Sequence, residues 1–430
     1  MSGQFAYNTW KPGAAGFPKV GETYTDPVFG GTVRRLTDRV GLRNQEDIYA
    51  HHWANANGTL CFSRIVDPIT NNNVGRILSI ATGQVVYDDQ PGMGGLMASD
   101  IAWDAMDPNV YYYYNGASLI RRNLGTKPVP TDTVIKTFPF LLRPNGGSLN
   151  SQDRTGRYFT VRYGLTNGPG EVGTNKIWDS QTPDNPNTPN DESIYSGEVT
   201  PLSTGGWVAI TPDGNYLVTA AGPGVSPQIE HWSYKIDHAT QAILPTPTQF
   251  WGLCGDHGVL ISASNGKNYF ITHSCNSTGA NTADAGTYRV DITLDQSKDT
   301  TGAQQIAANQ LLVPGVFLKT VDGHFSAVSK GPNQDWVFAD YETFVDDPFN
   351  GTPSGWVPYE QEIVAINVIT LEVRRYAHHR SQGLVANVSD NYYAQPRISC
   401  SWDGSVVLWT SNFNIASPVG YSDLYAMPFQ

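Results

Sequence analysis

The chain has 430 residues, with 43 Gly, 28 Pro and only 15% charged residues. That length suits two or three average domains or one large repeat fold, and the Gly/Pro content favours short strands and turns over helices. The net charge of -12 argues against nucleic acid and anionic membranes as partners, and no apolar run is long enough to span a bilayer.

The first residues, Met1-Ser-Gly-Gln-Phe5, have neither a basic start nor an apolar core. No signal peptide is expected there, and a periplasmic or secreted location would require a leader already removed. Residues 1–30 are Gly- and Pro-rich with scattered aromatics and read as an extended arm laid over a surface. Residues 32–37 read as a lone strand with no hairpin partner nearby.

A repeated pattern follows: a short apolar strand, a tight turn, and a second β-branched or aromatic strand. Its copies turn at Asn57-Gly58, Asp107-Pro-Asn109, Thr155-Gly156, Pro212-Asp-Gly214, Asn265-Gly266, Pro332-Asn333 and Trp402-Asp-Gly404. Third and fourth strands follow most copies, as in residues 76–80 with 84–87 and 362–366 with 371–375. The period of about 45 to 70 residues is that of four-stranded propeller blades with insertions. Copy three is the weakest, and residues 179–196 beside it read as a Pro/Asn/Asp-rich loop.

The seven copies predict an all-β fold, a seven-bladed β-propeller spanning residues 31–430 as one domain. The last copy shows only three strands, its third at residues 423–427, so the lone strand at 32–37 supplies the fourth and closes the ring. Two β-sandwiches, or a barrel plus a second domain, are the alternatives.

In such a fold, the loops entering first strands and leaving second strands open on one face. Entering loops carry His51, His52, Asp100, Asn150, Asp256, His257, His324, Gln395 and Arg397. Exits carry Arg64, Asp67, Asn115, Arg162, Tyr163, His273, Cys275, Asp340, Tyr341, Glu342, Asn412 and Asn414. Six of the nine histidines fall in or beside these loops, His379 being the sixth. Imidazole serves there as base, acid or metal ligand. His257, His273, Cys275 and His324 together suit a divalent ion such as zinc, while hydrogen bonds to loop backbone are the plainer use. Arg64, Arg162 and Arg397 supply fixed positive charge for a carboxylate, or salt bridges to Asp67, Asp100, Asp340 or Glu342. Trp53, Trp207, Trp251, Tyr163, Tyr392 and Tyr393 stack on sugar rings or pack between blades. Cys61 and Cys400 read as buried apolar side chains. Cys254 and Cys275 flank a hairpin and could pair, bind metal or do neither. No P-loop, dinucleotide fingerprint, G-x-S-x-G or H-E-x-x-H motif occurs.

His379-Arg-Ser381 followed by residues 395–412, from Gln-Pro-Arg-Ile-Ser-Cys-Ser to Trp-Thr-Ser-Asn, resembles the final blade of oligogalacturonate lyases and of the wider TolB-like propellers. Residues 256–262 with 270–275, and 323–326 with 336–340, resemble the two blades before it. The resemblance implies β-elimination of uronate-containing oligosaccharides and a manganese ion held by histidines and a glutamine. It points to His257, His324, His379 and Gln395. Arg397 stands where that pattern has a histidine. The set also resembles ulvan-degrading propeller lyases, which use His, Tyr and Arg.

The expectation is a carbohydrate-active propeller, a lyase whose partner is an acidic oligosaccharide or polysaccharide. Arg397 or a divalent metal (manganese, zinc or calcium) neutralises the uronate carboxylate. His52 or His257 takes the proton, and Tyr163 or Tyr393 assists the leaving oxygen. Arg64, Asp100, Arg162 and Asn412 complete substrate binding. The competing class is a non-catalytic propeller that binds a glycan or a protein, and a third reading is a hydrolase using Asp100 and Asp340.

Overall fold

The computed structural model describes residues 10–39, 52–66, 73–88, 91, 101–126, 129–143, 152–163, 173–184, 187, 191–200, 207–220, 231–253, 258–274, 285–299, 302–315, 323–341, 358–359, 361–381, 395–413, 415 and 421–429. Their strands form seven antiparallel sheets, the blades of a β-propeller. Blade 1 contains Leu60–Val66, Asn73–Ser79 and Val85–Tyr87, with Ala54 bridged to Cys61 on its inner side. Blade 2 runs from Ile101–Trp103 through Val110–Asn115 and Ser118–Asn123 to Thr131–Thr137. Blade 3 holds Leu142–Arg143, Tyr158–Tyr163 and Thr174–Asp179, and blade 4 holds Val208–Ile210, Tyr216–Ala220, His231–Asp237, Ala242–Ile243 and Thr248–Trp251. Blade 5 comprises Val259–Ser262, Asn268–Ser274, Gly286–Asp291 and Gln310–Pro314; blade 6 comprises Gly323–Ala327, Trp336–Tyr341, Glu362–Asn367 and Val373–His378. Blade 7 contains Ser399–Cys400, Val406–Ser411 and Asp423–Pro428.

Turn chemistry sets these hairpins. Gly58 and Gly404 hold φ of 66° and 70°, values that cost L-residues with a Cβ and leave glycine unstrained. A Cβ on Gly404 would also strike Val328 of the neighbouring blade. The core lies between blades: Trp53, Trp207 and Trp251 are all buried in inter-blade clusters, so packing rather than sugar stacking accounts for them. Cys61 and Cys400 are likewise buried thiols.

Two regions depart from expectation. Beside blade 3, the stretch read as a loop returns to the sheet, with bridges Trp178–Ile194 and Asn175–Val199. A short helix, Ala303–Ala308, precedes the outer strand of blade 5. Asp299 starts it by accepting the N–H groups of Gly302 and Gln305, which answers two of the donors a helix leaves open at its beginning. No described helix is long and apolar enough to cross a membrane.

The ring closes through blade 7. Thr32–Arg35 pairs antiparallel with Asp423–Pro428, matching Arg34 to Ala426 and Arg35 to Tyr425. A further strand within the arm, Thr23–Thr25, adds outside it. Asp423 has no solvent exposure. Its carboxylate accepts Arg35 Nε and Nη2 at 3.2 and 2.7 Å, the Thr37 hydroxyl at 2.9 Å, the Arg39 N–H at 2.9 Å and the Tyr421 hydroxyl at 2.6 Å. Burial opposes the charge on Arg35, but Asp423 outweighs it and raises the arginine's pKa. Asp423→Ala would take the buried partner from that guanidinium, leaving it the exposed Asp38 at 2.8 Å, and urea melts should show a loss of about 3 kcal/mol. An unchanged midpoint would mean that the seam is held elsewhere.

Candidate functional site

Inner strands enter each blade from one end of the disc and leave it at the hairpin turns. The Val328 N–H donates to the Trp336 carbonyl and the Ser401 N–H to the Val406 carbonyl, so these are equivalent points of blades 6 and 7. Counting back along the chain by the same distance reaches His324 in one blade and Arg397 in the next. The two inner strands are neighbours. Register therefore sets an imidazole and a guanidinium at one height on adjacent blades, at the loop end.

Asp340 fixes both backbones. It is fully buried at the exit of the second strand of blade 6. Oδ1 accepts the His324 N–H at 2.5 Å and Oδ2 accepts the Ile398 N–H at 2.8 Å. Oδ1 also lies 3.9 Å from His324 Nδ1. An acid this enclosed, with both oxygens engaged, is a brace between blades and not an exposed member of a hydrolytic carboxylate pair.

A second chain of contacts ties blade 5 to blade 7. His273 is buried, its Nδ1 3.3 Å from the Thr287 hydroxyl, which lies 2.8 Å from Tyr341 Oη. The Tyr341 carbonyl accepts from His379 Nε2 at 3.0 Å, and His379 Nδ1 accepts the Ser381 N–H at 3.0 Å. The Asn412 N–H then reaches the Ser381 hydroxyl at 3.3 Å. Thr410 donates its N–H to the Pro396 carbonyl at 2.6 Å and its hydroxyl to the Gln395 carbonyl at 3.0 Å, anchoring the approach to Arg397.

Backbone strain collects here. Of the seven described non-glycine residues at positive φ, five border this end of blades 6 and 7: Tyr359, Gln361, Arg380, Arg397 and Phe413. Each such residue costs about 1–3 kcal/mol and persists only where surroundings enforce it, a pattern associated with functional sites. Arg397 is 5% exposed with φ 46°.

The expected residues separate into groups. His324, Arg397, His379, Gln395, His273 and Asn412 share the loop end of blades 5 to 7. Arg64, buried, and Arg162, half-buried, stand at the corresponding exits of blades 1 and 3. Tyr163, beside Arg162, gives its hydroxyl to Glu198 at 2.6 Å and stacks on Phe140. Burial and Glu198 push its pKa up to about 12. His52 goes elsewhere: it sits one residue nearer the turn than His324 and Arg397. Its ring contacts Ser329 Oγ at 2.9 Å and the Cys400 carbonyl at 3.1 Å, and stacks on Trp402. It belongs with the residues leaving the inner strands, not with those entering. His257, Tyr393, Asp100 and Cys275, with His51, Asp67, Asn150, Cys254, Asp256, Glu342, Tyr392 and Asn414, lie outside the described residues. Gln361 belongs to no motif, and Arg380 and Ser381 stand in the His379-Arg-Ser381 motif without a role that the sequence assigns them.

His379, as it is hydrogen-bonded here, does not fit a manganese or zinc centre. A metal needs a lone pair, and in His379 one nitrogen donates to a carbonyl while the other accepts an N–H. Among the described residues no group of three or more His, Cys, Asp or Glu is arranged to hold a metal ion.

Burial, against the help of the Tyr341 carbonyl, pushes the His379 pKa from 6.5 to about 3. Unfolded chains therefore take up a proton that folded ones refuse between those values. The contribution of His379 to stability is whole above about pH 6.5 and is lost as the pH falls toward 3. Relative to His379→Gln, wild-type protein should lose up to about 1.4 kcal/mol of unfolding free energy per pH unit in that window. A difference between the two that does not vary with pH would contradict a neutral buried ring.

No protein-family model and no curated protein sequence matches the chain. Among solved structures it is similar to an oligogalacturonate lyase in complex with manganese, at TM-score 0.58 and 14% identity over 95% of this chain and 96% of that one. An oligogalacturonate lyase from Vibrio parahaemolyticus gives TM-score 0.53 and 12% identity, again over 95% and 96%. TolB from Acinetobacter baumannii gives 0.34 and 15% over 74% and 63%, too loose a superposition to argue from. At these identities the likeness is one of fold, and it is to the β-propeller of oligogalacturonate lyases.

Proposed function

We propose that the protein is a carbohydrate-active propeller, a lyase that cleaves a uronic-acid-containing oligo- or polysaccharide by β-elimination at the loop end of blades 6 and 7. The observation that carries this reading is the register that sets Arg397 and His324 at one height on adjacent inner strands, braced by Asp340. The fold shared with oligogalacturonate lyases supports it.

Elimination needs the uronate carboxylate neutralised, so that the neighbouring C5–H becomes acidic enough to lose its proton. Arg397 would supply that charge through a bidentate pair. His324 would take the C5 proton. Its side chain is 22% accessible, and the Asp340 carboxylate lies on the side of the ring that would become positive. The C5–H electron pair forms the C4–C5 double bond as the C4–O bond breaks, and the leaving oxygen takes a proton from solvent. No water is added to the products.

A second reading, a glycan-binding propeller without catalysis, has one observation in its favour. Two of the loop-derived histidines, His52 and His379, spend ring nitrogens on backbone carbonyls, a use that needs no substrate.

An assay for unsaturated uronate absorbance on a panel of acidic glycans separates these. The lyase reading expects product with at least one glycan, and His324→Ala and Arg397→Ala should each slow it by roughly 100-fold or more. Products heavier by one water would indicate hydrolysis, and calorimetric binding without product would favour the second reading. Since a guanidinium carries the charge in this scheme, a chelator should leave the rate unchanged. A rate that chelation abolishes and manganese restores would return the role to a metal.

A further inference from the structure

Resting on that reading, we propose that Trp10 and Arg380 make the N-terminal arm a positioning element of the loop-end site. Arg380 is 1% exposed and follows His379 directly. Its guanidinium carbon lies 5.3 Å over the Trp10 ring and 6.0 Å from that of Phe413. Trp10 is buried in turn against Phe17 at 4.8 Å and Tyr24 at 4.9 Å, and Phe17 meets Phe413 at 5.0 Å. Trp10 of the arm and Phe413 of blade 7 thus flank a cation from blade 6, with Phe17 and Tyr24 packed behind Trp10, an arrangement in which cation–π attraction is strong because water is excluded.

The arm is pinned on the same strand of blade 6. Asp26 accepts the His378 N–H at 3.0 Å and lies 3.2 Å from its Nδ1, and the Gly31 N–H donates to the Tyr376 carbonyl at 3.2 Å. Arg380 and Phe413 hold φ of 56° and 45°. Neither backbone favours that region, so packing must enforce it, and much of that packing comes from the arm, beside Tyr425 of blade 7 against Phe413. The opposite sides of these two residues carry the site. Ser381 holds His379 and Asn412, and Thr410, two residues before Asn412, holds the carbonyls of Gln395 and Pro396 that lead into Arg397. A change at Trp10 therefore reaches Arg397 through Phe413 and Thr410.

The test compares wild type, Trp10→Ala, Trp10→Phe and Arg380→Lys by amide hydrogen exchange and by calorimetric titration with tri-galacturonate. Trp10→Ala should speed exchange about tenfold or more at Ser381, Asn412 and Thr410 while Tyr158–Tyr163 of blade 3 keeps its protection, and should weaken binding by a similar factor. Trp10→Phe should restore both, because it retains a ring under the guanidinium. Arg380→Lys, which keeps charge but loses the planar face, should behave like the alanine variant and decides the matter if Trp10→Ala does not fold. Unchanged exchange at the three amides, or an equal rise in every blade, would overturn the proposal. Absent binding by wild type, of tri-galacturonate and of every other acidic glycan in the panel, would instead sink the uronate reading, with exchange still judging the arm.

Discussion

One buried carboxylate closes the ring. Asp423 has no contact with water, and without partners its charge would cost several kcal/mol to bury. Arg35, Thr37, Arg39 and Tyr421 all donate to it, and three of the four come from the stretch just after the chain's entry into blade 7. The first segment of the ring is thereby locked to the last. Because each blade packs chiefly on its neighbours, a ring that failed at this seam would expose two sheet edges and release the registration between blades 6, 7 and 1.

The same device recurs where the chemistry is proposed. Asp340 spans two blades by accepting one N–H from each, so the heights of His324 and Arg397 are set by backbone hydrogen bonds and not by side-chain packing alone. Around it, the His379 ring is neutral and doubly hydrogen-bonded. It acts as a staple between the exit of one strand and the end of another. The loop end of blades 5 to 7 is therefore stiff and strained, with arginine providing the cation near the axis. Preorganised charge of this kind costs no rearrangement when a substrate anion arrives.

Much of the architecture is legible in the sequence. Seven X-Gly or Asn/Asp turns between alternating strands are local signals, and a lone strand at residues 32–37 had to find a distant partner, which it did in Asp423–Pro428. The strap of residues 191–199 is hidden because the Pro/Asn/Asp-rich run before it suppresses strand patterning, and only isolated bridges form. The helix Ala303–Ala308 is too short to show a period. Site residues were legible as types and as loop positions, not as roles. Nothing local to His379 says that a carbonyl from Tyr341 will occupy its ring. Nothing near His52 says that Trp402 will draw it toward the turns. Trp10, isolated in a Gly/Pro-rich stretch, gives no hint of Arg380.

The central claim is that a uronate sits with its carboxylate on Arg397 and its C5–H toward His324. A crystal structure with a bound tri-uronate tests it most directly. The account predicts a carboxylate within hydrogen-bond distance of the Arg397 guanidinium and the sugar ring against the His324 imidazole. A glycan seated instead at the turn end, beside His52 and Trp402, or on the outer strands, would contradict it.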